Sequence, residues 1–411
     1  MRSAFRVVLV LLSLVFGPWA SVCASAAEAA KGVVRVGLLD PIDGTYAREG
    51  REVDSGFRYY LATHDDALGG FHVELRTADE GDSAGSALAS AHELVEQDAV
   101  DAIVGLVTSK DALGVADYLD ALKKPIVITS AGADDLTQVA RTSFLRVSDA
   151  SSQDTMPLGD YACRRLGKRN AAIVAVDSPF GTESAGGFAR TYTEAGCRIV
   201  QETYVGDDPD WNAVAAKIDR HADLVFVSFS SASAPRFLEA YRASGPKTTI
   251  VGTGLITDEL VLGEERDTAL GAITALHYAA TLSNPENEAF RVGYEALGGH
   301  PVSHLVENGY VAAAAISAAL EKLPAGPIKG DALAASLRAV TLHAPRGELH
   351  FDPTGQVVDS VYIRRVRQVG GRYRNDVIAT YPSVTQFWHY DPERYRALPS
   401  YAKLKGTWVH Q

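Results

Sequence analysis

The sequence has fewer positively than negatively charged residues, and this balance limits the kinds of partner that the protein can bind. Its 411 residues carry 39 Lys and Arg against 51 Asp and Glu, a formal net charge of −12. Such a balance argues against a nucleic-acid partner, because phosphates are bound by clustered cationic side chains. With 46% hydrophobic and 22% charged residues, the composition is that of packed globular cores. The length provides material for two domains of ordinary size.

Long apolar runs are also missing, so no membrane-spanning helix is predicted. The run at 7–16 (VVLVLLSLVF) is far shorter than the ~20 residues that a spanning helix needs. It follows the basic residues Arg2 and Arg6 and precedes small residues that include Ala24-Ser25-Ala26. A basic start, a short apolar centre and an A-x-A end are typical of a secretory signal peptide. We assign the signal to residues 1–27 and expect the mature protein in the periplasm.

Cysteine is scarce, with one residue inside the predicted signal and two in the mature chain. Neither Cys163 nor Cys197 has a histidine at the spacing of a metal-binding motif, so we predict no metal site. An even number of cysteines in an oxidising compartment predicts a disulfide. Both lie near the end of a predicted helix, just before a strand, in consecutive units. Two buried thiols are the alternative.

Motifs that would indicate an enzyme are incomplete. The segment 81–85 (GDSAG) matches the G-x-S-x-G turn of α/β hydrolases. However, Asp79 and Glu80 separate it from its strand, and the sequence has no His-Gly-Gly run for an oxyanion loop. The segment 252–254 (GTG) lacks the third glycine of a dinucleotide fingerprint. We therefore expect no cofactor and no enzymatic activity, and a hydrolase that uses Ser83 is the rival hypothesis.

Strands and helices alternate along the chain in two blocks. The first helix has an apolar stripe at Val53, Phe57, Tyr60 and Leu61, which is typical of a helix packed on a sheet. Alternation of this kind predicts βαβ units and parallel sheets. The predicted strands of the first block are 33–39, 71–78, 102–107 and 126–129. Those of the second block are 171–176, 198–205, 224–229 and 248–251.

Two such blocks predict an α/β protein with two lobes. Helices predominate over 286–340 and strands over 347–378, so later segments return to both lobes. We assign 28–147 plus 279–345 to the first lobe. The second lobe takes 148–278 plus 346–411, which includes a C-terminal extension. Open parallel sheets bind ligands outside the carboxyl ends of their strands, so we expect the ligand cleft between the lobes.

The loops at these strand ends suit a small ligand. In the first lobe they carry Tyr46, then Thr108-Ser109, then Ser130-Ala131, beside predicted helix N-termini. Hydroxyl groups and unpaired backbone N–H groups together bind carboxylates and other anions. The loops of the second lobe carry Phe180 and Phe229-Ser230, so that edge is partly aromatic. Ordinary helix capping is the alternative explanation for the hydroxyl residues.

Several stretches resemble, in order, the leucine/isoleucine/valine-binding proteins of ABC importers. They begin at residues 34–76 (VRVGLLDPIDGTYAREG…) and include 103–137, 144–153 (FLRVSDASSQ), 171–205 and 353–356 (PTGQ). The resemblance implies a type I periplasmic-binding-protein fold, with each lobe a parallel-rich sheet flanked by helices and with three crossings between the lobes. It also implies a small-molecule ligand, an ABC-importer permease as partner, and a monomer. The ligand contacts that it implies are Thr108, Ser109, Ser130 and Ala131, with Tyr46 at the rim, and Phe180, Phe229 and Ser230 opposite.

One loop departs from the amino-acid binders of that family. They place an acid against the ammonium group of the ligand, whereas the loop 252–256 (GTGLI) has no acid before Asp258. The stretches 180–196 and 386–401 resemble a subgroup associated with aromatic carboxylates, and Leu255 would suit a ring together with the two phenylalanines. We therefore expect a small carboxylate, an aromatic acid. The alternatives are a branched-chain amino acid or amide, with Asp177 and Asp258 the first acids to test, or a binding protein that reports to a sensor.

Overall fold

A computed structural model describes residues 30–206, 208–245, 248–298 and 300–410. The predicted signal segment 1–27 lies outside these residues. The first part of the chain forms β1 (Gly32–Asp40), α1 (Ala47–Ala62), β2 (Ala67–Leu68), β3 (Phe71–Asp79), α2 (Ala84–His92), β4 (Ala102–Gly105), α3 (Ser109–Ala121), β5 (Ile126–Ile128), α4 (Asp135–Gln138) and β6 (Phe144–Arg146).

The middle of the chain repeats this alternation, and the last part mixes helices with antiparallel strands. The middle forms α5 (Thr155–Arg164), β7 (Asn170–Val176), α6 (Pro179–Glu194), β8 (Arg198–Val205), α7 (Trp211–Ala216), β9 (Leu224–Ser228), α8 (Ala234–Ala243), β10 (Thr249–Thr253), α9 (Glu259–Glu265) and β11 (Ile273–Leu276). The last part forms α10 (Pro285–Ala296), α11 (His304–Glu321), α12 (Gly330–Arg338), β12 (Thr341–Ala344), β13 (Gly347–Phe351), β14 (Val357–Val369), β15 (Arg372–Val384), α13 (Pro392–Arg396) and α14 (Tyr401–Leu404). No helix in the described ranges is long and apolar enough to cross a membrane.

Two sheets organise the structure. The first has the order β2-β3-β1-β4-β5-β6, and all its strands are parallel except β2. In the second, β8-β7-β9-β10-β11 are parallel and β14 joins β11 antiparallel. β14 also pairs antiparallel with β15 and with β13, and β13 pairs with β12. Helices cover both faces, so each sheet has a buried core on either side. The predicted α/β fold with two parallel-rich sheets is confirmed.

The chain passes between the lobes three times. The first crossing lies between β6 and α5, and the second lies between β11 and α10. The third lies within β14, because Val357 packs in the core of the first lobe and Val361 in that of the second. Leu349 and Phe351 of β13 also pack in the first core. The first lobe therefore extends beyond residue 345, where the sequence analysis ended it.

The C-terminal extension packs on α6 of the second lobe. The Arg190 guanidinium lies 5.0 Å from the centre of the Tyr401 ring and 5.9 Å from that of Trp408, within the range of cation–π attraction. Gly186 permits this approach, because a Cβ atom there would lie 2.1 Å from the Tyr401 ring. A larger residue at Gly186 would push the extension off the helix.

A disulfide joins Cys163, in the last turn of α5, to Cys197, just before β8. The predicted bond is confirmed. It closes a loop with a sequence separation of 34.

Replacing both cysteines, Cys163→Ala with Cys197→Ala, should lower the free energy of unfolding by roughly 3–4 kcal/mol, because a loop of this length restricts the unfolded chain by about that amount. Denaturant unfolding under non-reducing conditions measures the loss. Mass spectrometry of the unreduced exported protein should find the cross-linked peptide. Two freely alkylated thiols in that sample would contradict the bond.

Candidate functional site

A cleft of about 720 Å³ lies where the carboxyl ends of the two parallel sheets meet. The first sheet contributes the loops after β1, β3, β4, β5 and β6, and the second contributes the loops after β7 to β11. This volume is within the range of small-molecule sites. The predicted position of the cleft follows from topology, because parallel strands end at one edge and both edges face each other.

All but one of the residues predicted from the sequence line the cleft. They are Tyr46, Thr108, Ser109, Ser130, Phe180, Phe229, Ser230 and Leu255. Ala131 does not line it, and there the prediction needs correction. Its side chain is fully buried, its N–H donates to the Leu106 carbonyl (2.9 Å) and its carbonyl accepts from Arg146 (3.2 Å). Both backbone groups are used inside the lobe, so neither is available to a ligand.

Thr108 builds the polar wall but has its own polar groups engaged. Its hydroxyl donates to Asp111 Oδ2 (2.6 Å) and caps α3 by accepting from the Asp111 N–H (3.2 Å). Its N–H donates to the buried carboxyl of Glu80 (2.9 Å). Burial raises the pKa of Glu80 to about 7 despite its two backbone N–H donors. Ordinary helix capping, the alternative explanation for the hydroxyl residues, therefore accounts for Thr108.

Ser109 and Ser130 remain as the anion-binding candidates of this wall. Ser109 is the first residue of α3, a helix of 13 residues, and the N–H groups of a first helical turn have no acceptor within the helix. The same end of a helix attracts negative charge. Ser130 follows β5 and is half-buried at the cleft surface. Lys110 lines the cleft next to Ser109 and adds a positive charge.

The opposite wall is more aromatic than the sequence analysis predicted. Phe180 is half-buried at the start of α6. Phe229 is 1% exposed and packs on Trp211, with ring centres 5.0 Å apart. Trp211 lines the cleft too, and Arg236 lies over it while pairing with Asp208 (2.7 Å). Trp211 was missed because it starts the short helix α7 and does not directly follow the end of β8 at Val205.

Three polar residues missed by the sequence analysis lie together on the cleft. Asp149 and Asp154 lie in the first crossing, and His277 begins the second. We call them the crossing cluster, and their ligand atoms lie within 4.8 Å of one another. His277 Nδ1 is 3.4 Å from Asp149 Oδ2. The loop 252–256 does lack an acid, but the crossing cluster brings two other carboxyls to the cleft.

Burial and proximity set the protonation of the crossing cluster. Burial and the Asp149 charge raise the pKa of Asp154 well above its ordinary value. Burial also disfavours the charged form of Asp149, but its interactions with the Asp154 carboxyl and with His277 outweigh burial and lower its pKa to about 2. Burial and the nearby Arg346 charge lower the pKa of His277. Near neutral pH, Asp149 is therefore the ionised member, as expected when two close carboxyls share one proton.

Asp258 and His304 join the lobes beside the cleft. His304 Nδ1 lies 2.6 Å from Asp258 Oδ2, and both side chains are buried. Asp258 Oδ1 also accepts from the Leu260 N–H (2.9 Å) and so caps α9. Asp258, considered above as an acid for an ammonium group, thus already has a partner. Asp177, the other such acid, lines the cleft but is exposed and paired with Lys405.

His304→Ala should weaken solute binding by up to about 3–5 kcal/mol, because it leaves a buried carboxylate without its partner in the closed form. Calorimetry with a solute that the wild type binds measures the loss. Arg48→Ala is the matched control, since Arg48 pairs with Glu264 (2.9 Å) across the lobes but both side chains are about half exposed. It should cost about 1 kcal/mol or less.

The contribution of the Asp258–His304 pair also depends on pH. Burial opposes ionisation of Asp258, but the charge of His304 and the hydrogen bonds outweigh it and lower the pKa of Asp258. A carboxyl whose pKa is lowered stabilises the closed form above its ordinary pKa, and that contribution disappears as pH falls through the lowered value. A wild-type affinity advantage over His304→Ala that grew on acidification would contradict this assignment.

Ser83, the candidate nucleophile of the hydrolase hypothesis, caps α2. Its hydroxyl accepts from the Ser86 N–H (3.2 Å), and the Ser86 hydroxyl accepts from the Ser83 N–H (3.1 Å). Ser83 is exposed, and within the described ranges its hydroxyl has hydrogen bonds to Ser86 alone. A reciprocal cap of this kind explains the motif without catalysis.

Comparison with known proteins identifies the class. The periplasmic binding protein family matches residues 33–372, and the chain belongs to this family. Leu/Ile/Val-binding protein homolog 6 of Brucella abortus is 28% identical over 377 residues, which cover 88% of this chain and 94% of the relative.

Two solved structures share the fold over most of their length. A solute binding protein of an ABC transporter from Rhodopseudomonas palustris BisB5, in complex with 3,4-dihydroxybenzoic acid, is 27% identical with a TM-score of 0.81, covering 86% of this chain and 98% of its own. One from Rhodopseudomonas palustris HaA2, in complex with p-hydroxybenzoic acid, is 25% identical with a TM-score of 0.82 and the same coverage.

The chain is therefore a periplasmic solute-binding protein of the ABC-transporter type. Proteins of this type bind small molecules and work with a membrane permease, and their family is one of binding proteins, not of enzymes. The family also implies a location outside the cytoplasmic membrane.

Proposed function

We propose that this protein captures a small carboxylate with an aromatic body and delivers it to an ABC permease. The observation that carries the proposal is the contrast between the two walls of the cleft. One wall offers Ser130, Ser109 and the N-terminus of α3, and the other offers Phe180, Phe229 and Trp211. The first suits a carboxylate, and the second suits the faces of a ring. The two solved relatives named above bind hydroxybenzoic acids, in agreement with this assignment.

A branched-chain amino acid is the second candidate. Its ammonium group would need a carboxylate in the closed cleft, because an unpaired buried charge is costly, and Asp149 lines the cleft. The relative from Brucella abortus carries a Leu/Ile/Val-binding name. A thermal-shift screen with aromatic acids, branched-chain amino acids, amides and short fatty acids separates the candidates. A ligand of the folded form at ~100 times its Kd adds ~2.7 kcal/mol of stability.

Ser130→Ala should weaken an aromatic acid much more than its neutral amide, by roughly ten- to a hundredfold, because a hydrogen bond to a charged group contributes ~1.5–3 kcal/mol. Phe180→Ala should weaken the acid and the amide alike, since it removes apolar contact and leaves the anion site intact. Calorimetry of both variants with one acid–amide pair measures the two effects separately. Tight binding of leucine or valine without binding of aromatic acids would overturn the aromatic preference.

A further inference from the structure

The Asp149 carboxylate lies on the cleft, and the proton that it shares with the Asp154 carboxyl leaves most of its acceptor capacity unused. The residue is 6% exposed and lines the cleft. Apart from that shared proton, neither Oδ1 nor Oδ2 has a partner with hydrogen-bond geometry among the described residues. Other groups that line the cleft share this property among the described residues, including the hydroxyls of Ser148, Ser151, Ser184 and Thr253. Buried polar groups are rarely left in this state.

The positive charge of Arg346 does not donate a hydrogen bond to Asp149, because other acceptors take its donors. Arg346 is wholly buried and is bonded to Glu307, to Asn308, to the Val147 carbonyl (2.6 Å) and to Asp359 Oδ2 (3.3 Å). His277 is in contact with Asp149 at 3.4 Å but without hydrogen-bond geometry, and its Nε2 lies 3.0 Å from Asn308 Oδ1. An ionised carboxylate accepts several hydrogen bonds and is costly to bury when few are made, so the cleft has an acceptor that suits a donor on the solute.

We propose that Asp149 is a specificity subsite that accepts a hydrogen bond from an O–H or N–H group which the solute carries in addition to its carboxylate. This inference rests on the proposed function and narrows it to hydroxy- or amino-substituted carboxylates. A binding site built around a buried polar group discriminates strongly against analogues that lack the matching group, because that group is then left unpaired.

A divalent cation is the competing occupant. Asp149, Asp154 and His277 offer three ligand atoms within 4.8 Å. However, metal ligands must be deprotonated, and burial beside Asp149 favours the protonated form of Asp154 by raising its pKa. We therefore keep the hydrogen-bond donor as the proposal, and the cation becomes an outcome of the test.

The test compares benzoate with its hydroxy and amino isomers and with methoxybenzoates, which lack the donor, by calorimetry. The wild type should bind the best-placed hydroxy or amino isomer about ten- to a hundredfold more tightly than benzoate, the factor for a hydrogen bond to a charged group. Asp149→Ala should reduce this preference to within about threefold. Asp149→Asn, which keeps an acceptor but loses the charge, should fall between. Asp160→Asn, in a surface pair with Arg164, is the control and should keep the full preference.

The remaining outcomes separate this inference from the proposed function. Equal binding of benzoate and all its donor-bearing isomers by the wild type, or a preference that survives in Asp149→Ala, overturns the subsite alone. Failure of every carboxylate to bind removes the proposed function and the subsite with it. Leucine binding that depends on Asp149 and exceeds that of the hydroxybenzoates supports the subsite and overturns the aromatic preference. An Asp149-dependent rise in melting temperature with Mg²⁺, Ca²⁺, Mn²⁺ or Zn²⁺ alone assigns a cation site instead.

Discussion

Buried arginines at the crossings hold the two lobes together. Arg346 donates to the Val147 carbonyl of the first crossing and pairs with Glu307 of the first lobe and Asp359 of β14. Arg364, also in β14, donates to the carbonyl of Tyr278 in the second crossing (2.9 Å). A guanidinium removed from water must find acceptors for its fixed fork of donors. Each arginine therefore fixes the backbone of one crossing against another, and the relative placement of the sheets follows.

The need of buried groups for hydrogen-bond partners also explains why polar and charged side chains gather at the crossings, beside the cleft. The first two crossings lie outside the strands, so buried polar side chains supply hydrogen bonds to the backbone there. Gln356, for example, donates to the Ser148 carbonyl (2.9 Å), and Gln153 donates to the carbonyls of Val357 and Val384 (both 3.0 Å). Asp149 lies within this network but is not used by it. A solute that contacts Asp149 therefore binds to the segment that connects the lobes as well as to their walls.

Helix caps and ligand groups compete for the same side chains at the strand ends. Thr108 caps α3 and bonds to Asp111, and Ser178 caps α6 by accepting from the Gly181 N–H (3.2 Å). Capping orders the first helical turn, and the ordered turn then presents its remaining N–H groups to the cleft. The hydroxyls that cap support the site, while neighbours such as Ser130 face it.

The sequence by itself determined the alternation of strands and helices, both sheets, the edge at which the cleft forms and most of its lining residues. Those features depend on local periodicity and on the rule that parallel strands end together, and both can be read along the chain. Only the tertiary structure decided that Ala131 lies behind the wall, that β13 belongs to the first lobe, and that Trp211 and the crossing cluster reach the cleft. Asp149 and His277 are 128 positions apart in the sequence, and the two side chains lie 3.4 Å apart only because separate crossings pass side by side. Their protonation depends in turn on burial and on Arg346, so no local pattern in the sequence could have indicated either.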